Sequence, residues 1–302
     1  MKHLLIIFSI LLFSFIIFSC KSTDNTTNSS WTKQLGTSST DVGWDVTSDS
    51  SNNIYVTGLT WGGLDGNTNS GNYDMFLVKY NSSGTKQWTK QLGTSSRDNG
   101  KGVITDSSGN IYVTGTTYGG LDGNTYSGGG EIFLVKYNSS GTKQWTKQLG
   151  TSSDSTNLGS SSRGVTIDSS GNIYVTGHTC GGLDGNTNSG ATDIFLVKYN
   201  SSGTKQWTKQ LGTSSTDSGE GVATDNAGNI YVMGRTEGDL DGNTNSGSMD
   251  VFLVKYNSSG TKQWTKQLGT SYEDRGRGVT TDSSGNIYVT GGTYGYLDGN
   301  TY

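Results

Sequence analysis

The sequence has no proline, only two cysteines and only two histidines among its 302 residues, and each scarcity removes a class of answer. Two cysteines cannot staple a disulfide-dense scaffold. His3 lies in the apolar N-terminal stretch, so His178 alone serves the rest of the chain. Neither a Ser-His-Asp triad nor a multi-histidine metal centre can be built from one imidazole. Hydrophobic residues make up 30%, too few and too evenly spread for long amphipathic helices. A formal charge of −4 with lysine and aspartate interspersed leaves no basic footprint for nucleic acid. What is present is glycine, 47 residues of it, with serine, threonine and asparagine around regular clusters of Val, Ile, Tyr, Phe and Trp. Disordered chains are poor in those cluster types, so the expectation is an all-β fold with many turns.

The first nineteen residues stand apart. Lys2 precedes an apolar run from Leu4 to Phe18, and Ser19 precedes Cys20, which is the layout of an export signal. An uncleaved anchor is the other reading, because the run approaches the length that crosses a bilayer. Ile17-Phe18-Ser19-Cys20 resembles the bacterial lipobox, and that resemblance implies removal of residues 1–19 and lipidation of Cys20. A disulfide between Cys20 and Cys180 is the competing role for the thiol. Residues 20–30 then form the lipidated cysteine and a flexible tether of roughly 17 Å reach. Lys21 does not match the aspartate that retains lipoproteins at an inner membrane, which implies outer-membrane placement.

Trp31, Trp88, Trp145, Trp207 and Trp264 open five copies of one phrase at spacings of 57, 57, 62 and 57 residues. Such periods signal a propeller or another repeat architecture. The longer interval holds extra residues around Leu158 and predicts a loop there. Within one copy, "GVITD" (strand A), the turn "SSGN", "IYVTG" (B), a Gly-rich connection, "EIFLVKYN" (C), the turn "SSG" and "TKQWTKQLG" (D) alternate strand and hairpin signals. Gly109 and Gly141 are placed to supply the positive φ of those turns. Strands B and C are apolar on both faces, so neighbours must cover both. Radial packing of four-stranded antiparallel sheets does this, with a solenoid as the rival. The repeated tryptophan fills the gap between blades or stacks on sugar, and Lys86 and Lys90 suit an outer edge strand.

The pattern D-S-S-G-N-I-Y-V-T-G followed by D-I-F-L-V-K-Y-N-S-S-G-T-K-Q-W resembles the bacterial SBBP β-propeller repeat, over residues 31–302. The resemblance implies a blade of a propeller found in surface and secreted proteins, and says little about activity. Counting strands predicts four complete blades plus an incomplete fifth that lacks strand C, either in a short ring or as part of a larger one.

The copies differ from one another at one end of the blade. The A-B and C-D turns barely change, whereas the D-A connection and the start of the B-C connection carry Trp44, Trp61, Lys101, Tyr118, His178, Glu220, Arg235, Glu237, Arg275, Arg277 and Tyr294. Variable loops on a rigid frame are where binding is placed, and drift in solvated loops is the alternative. The connection "DGNTNSGNYD" also spaces oxygen side chains as a hard cation needs them. The calcium reading takes Asp65, Asn67, Asn69 and Asp74, then Asp184, Asn186, Asn188 and Asp193, then Asp241, Asn243, Asn245 and Asp250. Asparagine and aspartate capping backbone amides in a turn is the plainer reading. A carboxylate pair among Asp98, Asp217, Glu220 and Asp274 is what remains for a glycosidase or lyase, against loop caps. The expectation is a monomeric, exported, lipid-anchored binding module with no enzyme activity and no required cofactor. Its ligand is a protein or a glycan, and an envelope protein without a specific ligand is the alternative.

Overall fold

The computed structural model describes residues 31–151 and 159–297, together with the backbone of residues 4–8 and 15–20. The expected tether at 21–30 and the insertion before Leu158 lie outside the described residues. In chain order the first strands are β1 (Leu4–Phe8), β2 (Phe15–Cys20) and β3 (Thr32–Leu35), which form a three-stranded antiparallel sheet. Four antiparallel sheets of four strands follow. They are β4 (Asp41–Ser48) to β7 (Lys86–Leu92) through β5 (Ile54–Thr60) and β6 (Asp74–Tyr80), then β8 (Asp98–Thr105), β9 (Ile111–Thr117), β10 (Glu131–Tyr137) and β11 (Lys143–Leu149). The third comprises β12 (Ser161–Ile167), β13 (Ile173–Thr179), β14 (Asp193–Tyr199) and β15 (Lys205–Leu211), and the fourth β16 (Asp217–Thr224), β17 (Ile230–Thr236), β18 (Asp250–Tyr256) and β19 (Lys262–Leu268). A two-stranded sheet, β20 (Asp274–Thr281) with β21 (Ile287–Thr293), ends the series. This is a β-propeller of four blades and an incomplete fifth. The chain divides into two compact units, residues 1–126 with 133–146, and residues 127–132 with 147–302.

The repeated turn phrases are explained by their own hydrogen bonds. In the A-B turn one Asp106 oxygen accepts the backbone N–H of Ser108 and Asn110, and the other accepts the Asn110 amide and the Tyr112 hydroxyl. The same set recurs around Asp49, Asp168, Asp225 and Asp282. In the C-D turn Asn138 Oδ1 accepts from Ser140 and Thr142 N–H and from the Ser140 hydroxyl, while Gly141 adopts φ +80°. An asparagine or aspartate that replaces backbone partners in this way fixes a tight turn. The set survives Asn52 in place of the turn glycine and Asn226-Ala227 in place of the two serines, because the aspartate, the last asparagine and the tyrosine supply the side-chain groups.

Strands B and C form the core, as their two-faced apolarity predicted. In the first unit Tyr55, Met75, Leu77, Val103, Ile111, Val113, Phe133 and Val135 make one buried cluster. In the second, Tyr174, Ile194, Leu196, Ile230, Val232, Phe252 and Val254 make another. Each such side chain contributes about 1.5–3 kcal/mol when fully buried. Trp88 leans on Tyr55 of its own blade at 6.1 Å and sits against Gly141 of the next, where a Cβ would run into the indole. Trp207 does the same between Tyr174 and Gly260. The tryptophan therefore fills the seam between blades. Tyr288 of the two-stranded sheet is 54% exposed, where its counterpart Tyr231 in a four-stranded sheet is 2% exposed.

Strand A is longer than the sequence suggested. Four A strands begin at an aspartate (Asp41, Asp98, Asp217 and Asp274) and β12 begins at Ser161, next to the corresponding Ser160, and each continues through a one-residue bulge. Pairing resumes because the bulge shifts register, and the bulged residue leaves the ladder. Glycine is required opposite it. A Cβ on Gly115 would collide with the Asn99 carbonyl and the Phe133 ring, and one on Gly234 with the Ser218 carbonyl.

Candidate functional site

The bulged residues are Trp44, Lys101, Arg163, Glu220 and Arg277, one per copy. Four of these five belong to the variable set read from the sequence. The structure corrects their location from loop to strand. Arg163 was missed because the insertion obscured its copy, although the residue just before the recurring Gly-Val pair marks the position in four copies, with Asp45-Val46 in its place after Trp44.

In the first unit A strands β4 and β8 lie side by side. Asp45 ties them, with Oδ1 accepting Val46 N–H and Oδ2 accepting Val103 N–H, both at 2.8 Å. Burial pushes this carboxyl up to about 6, against those two donors. The tie holds Trp44 and Lys101 on adjacent bulges, and the Lys101 ammonium lies 3.3 Å from the centroid of the indole. Trp44 is 48% exposed and Trp61 46%. Trp61 is fixed by its N–H to the Thr40 carbonyl and by an edge-on contact with Tyr73 at 4.6 Å, and Arg97 lies over Tyr73. Tyr118 is held by N–H donation to the Arg97 carbonyl and is half-buried. The first unit thus holds two partly open aromatic and cationic groups, Trp44 with Lys101 and Trp61 with Tyr73 and Arg97.

In the second unit β12, β16 and β20 lie in series. His178 stands opposite Ser161, and Arg235 opposite Ser218. The Ser218 hydroxyl reaches His178 Nδ1 at 3.4 Å and donates to Glu220 at 3.1 Å, and Glu220 stands 3.8 Å from Arg235 Nε. Burial, then the charges of Arg163 and Arg235, push the His178 imidazole down to about 4, so it is neutral at pH 7. Glu237 donates its N–H to the Thr216 carbonyl, and Tyr294 to that of Glu273. Arg275 pairs with Glu273, Arg277 is exposed, and Tyr294 is exposed.

The carboxylates weighed for catalysis do structural work. Asp98, Asp217 and Asp274 are buried, and each receives the N–H and hydroxyl of a threonine four residues earlier. Burial pushes the carboxyls of Asp98 and Asp217 up.

The oxygen side chains weighed for calcium are engaged one by one. Asp65 takes left-handed backbone in a Leu-Asp-Gly turn (Leu64–Gly66), pairs with Lys86 and accepts from Thr89 at 2.7 Å. Asp184 and Asp241 pair likewise with Lys205 and Lys262. The amides of Asn67, Asn186 and Asn243 donate to the preceding leucine carbonyl. Those of Asn69 and Asn188 donate to Trp61 and Cys180 carbonyls, and Asn245 Oδ1 accepts Gly247 N–H. Asp74, Asp193 and Asp250 each accept a backbone N–H and a glutamine amide on one oxygen and leave Oδ1 without a partner. Among the described residues no group of three or more His, Cys, Asp or Glu is placed to hold a metal ion.

Five segments, residues 30–65, 87–122, 144–184, 206–241 and 263–297, match SBBP, the Beta-propeller repeat. Among curated proteins, the chain is 26% identical over 240 residues to the Regulatory protein FlaEY of Caulobacter vibrioides, covering 68% of this chain and 24% of that protein. It is 25% identical over 286 residues to an uncharacterized WD repeat-containing protein of Acanthamoeba polyphaga mimivirus, covering 72% and 21%. The match thus spans less than a quarter of either relative's length. Among solved structures, a protein of unknown function from Dyadobacter fermentans is 10% identical, with 92% of this chain and 89% of that chain covered and a TM-score of 0.49. A gluconolactonase from Xanthomonas campestris is 10% identical, with 92% and 79% covered and a TM-score of 0.46.

Proposed function

The chain belongs to the SBBP Beta-propeller repeat family, and from that premise we propose that it is a non-catalytic binding module. In this reading it is exported, held to a bacterial envelope by lipid on Cys20, and engages a protein or glycan through its bulge and loop residues. The observation that carries the reading is the contrast between frame and display. The turns and core repeat almost unchanged, while the residues that the bulges eject from the ladder vary among Trp, Lys, Arg and Glu. Exposed Trp44 and Trp61 are costly to leave in water without a partner, and both are held by neighbouring side chains, which lowers the ordering cost of binding. The absence of a second imidazole outside the N-terminal stretch and the structural engagement of the buried aspartates support a role without catalysis. An array of glycans and matrix proteins probed with the full chain and with a Trp44→Ala/Trp61→Ala variant tests the reading. Binding that the variant loses supports it. Silence across the array for the unaltered chain favours a structural envelope protein with no specific ligand. Lipid labelling that is lost in Cys20→Ala, together with protease sensitivity on intact cells, tests the address.

A further inference from the structure

The second unit carries a group of polar side chains that no bond within the described residues completes. Arg163 on the β12 bulge and Arg235 on β17 both act on the His178 ring, and Glu220 is the acid beside Arg235. Among the described residues Glu220 is the one carboxylate within 4 Å of either guanidinium, so two positive charges face one negative. The Nε atoms of both arginines are buried without an acceptor, and the 3.8 Å from Arg235 Nε to Glu220 is too long for a hydrogen bond. A buried donor without an acceptor destabilises the fold, so the arrangement persists at a cost that an incoming acceptor would remove. Ser218, buried, places its hydroxyl between His178 and Glu220. The strands that present these groups are rigidly joined, because Gly164 lies against Gly221 and Thr224 donates to the Ile167 carbonyl at 3.3 Å.

We propose that Arg163, Arg235, His178 and Ser218 form a site for a small oxyanion, a carboxylate or phosphate group carried by the ligand. This rests on the binding-module reading and names the chemistry of its partner. Guanidinium forks match carboxylate and phosphate oxygens in geometry and charge. The neutral imidazole turns its one N–H, on Nδ1, toward the Ser218 oxygen, and when an anion offsets the arginines the ring gains a proton whose N–H donates to it. Glu220 sets selectivity, since it repels an anion that fails to engage both arginines.

The test follows the His178 imidazole by NMR in the full chain in detergent, assigned with His178→Gln, during titration with inorganic phosphate and separately with galacturonate. The expected result is a saturable shift with a rise of the His178 pKa toward its ordinary value, in the arm whose anion fits. Arg163→Gln and Arg235→Gln, confirmed as folded by circular dichroism, each weaken binding about tenfold or more, as loss of a charged hydrogen bond does. Should either fail to fold, Arg163→Lys or Arg235→Lys keeps the charge without the fork and weakens binding in the same direction. Chloride at equal ionic strength gives no saturable shift. A response no different from chloride in both arms, or unchanged affinity in the folded variants, overturns the site. The Trp44 and Trp61 surface belongs to the other unit, so array binding without an anion response rejects this site and leaves the binding module standing. An anion response with a silent array does the reverse.

Discussion

The Thr117 hydroxyl lies against Asp98 Oδ1, and it has one hydrogen for two acceptors. Besides the carboxylate, the Gly119 carbonyl lies 3.1 Å away, while Gly119 N–H already donates to the Thr117 hydroxyl oxygen. Thr236 repeats the arrangement with Asp217 and Gly238. If the carboxyl keeps its proton, both acceptors are served, with Asp98 donating to Thr117 and Thr117 donating to Gly119.

Burial first, and the nearby Asp74 charge last, raise the Asp98 carboxyl. Burial and Asp193 do the same for Asp217. A raised folded pKa means that the stabilisation is present below the unfolded value of about 3.9 and is lost as pH rises through the folded value. Asp98→Asn and Asp217→Asn mimic the protonated form, donating to threonine through Nδ2. Both are expected to melt close to the unaltered chain in acid, to keep that stability as the pH rises through the folded pKa while the unaltered chain loses it, and so to lose this part of the pH dependence, whereas Asp98→Ala costs about 1–3 kcal/mol. Melting curves from pH 4 to 8 check it, and an asparagine variant as unstable as the alanine variant throughout contradicts it.

The A-B turn acids respond in the opposite sense. Burial works against Asp106 and Asp225, but hydrogen bonds from the turn asparagine, the tyrosine hydroxyl and backbone N–H prevail and lower both carboxyls. Their contribution is present above the unfolded pKa and is lost as pH falls through the folded one. Asp106→Ala is expected to cost about 1–2 kcal/mol, as a lost cap does, and the difference from the unaltered chain should vanish in strong acid. Urea titrations at neutral and acid pH read both effects.

Trp88 joins two blades while Trp44 joins none of the core. Trp88→Ala is therefore expected to cost about 3 kcal/mol, the lower end for a buried aromatic because part of the ring reaches water. Trp44→Ala is expected to shift stability by no more than about 0.5 kcal/mol. Denaturant midpoints decide, and equal losses at the two positions would contradict the seam assignment.

The Lys86 and Asp65 pair is partly exposed on both sides, so it contributes about 0–1 kcal/mol. Its larger consequence is that a cation already occupies the Asp65 carboxylate. Calorimetry and melting of the full chain with Ca2+ and then EDTA are expected to show no saturable heat and no shift in Tm. A saturable rise in Tm that EDTA reverses would restore the calcium reading.

Much of this protein was legible along the chain. The 57-residue recurrence, strands apolar on both faces and turns written as Asp-x-x-Gly-Asn and Asn-Ser-Ser-Gly were sufficient for four-stranded blades, because these depend on neighbours within a few residues and on burial from both sides. The seam role of Trp88 followed from the same logic. What only the tertiary structure decided depends on partners far apart in sequence. The bulges that carry Trp44, Lys101, Arg163, Glu220 and Arg277 arise from register between paired strands, and Lys86 reaches Asp65 from 21 residues away. His178 meets Ser218 from 40 residues away. Local pattern determines which strands form, whereas which side chains share a dry pocket is set by the packing of one strand beside the next.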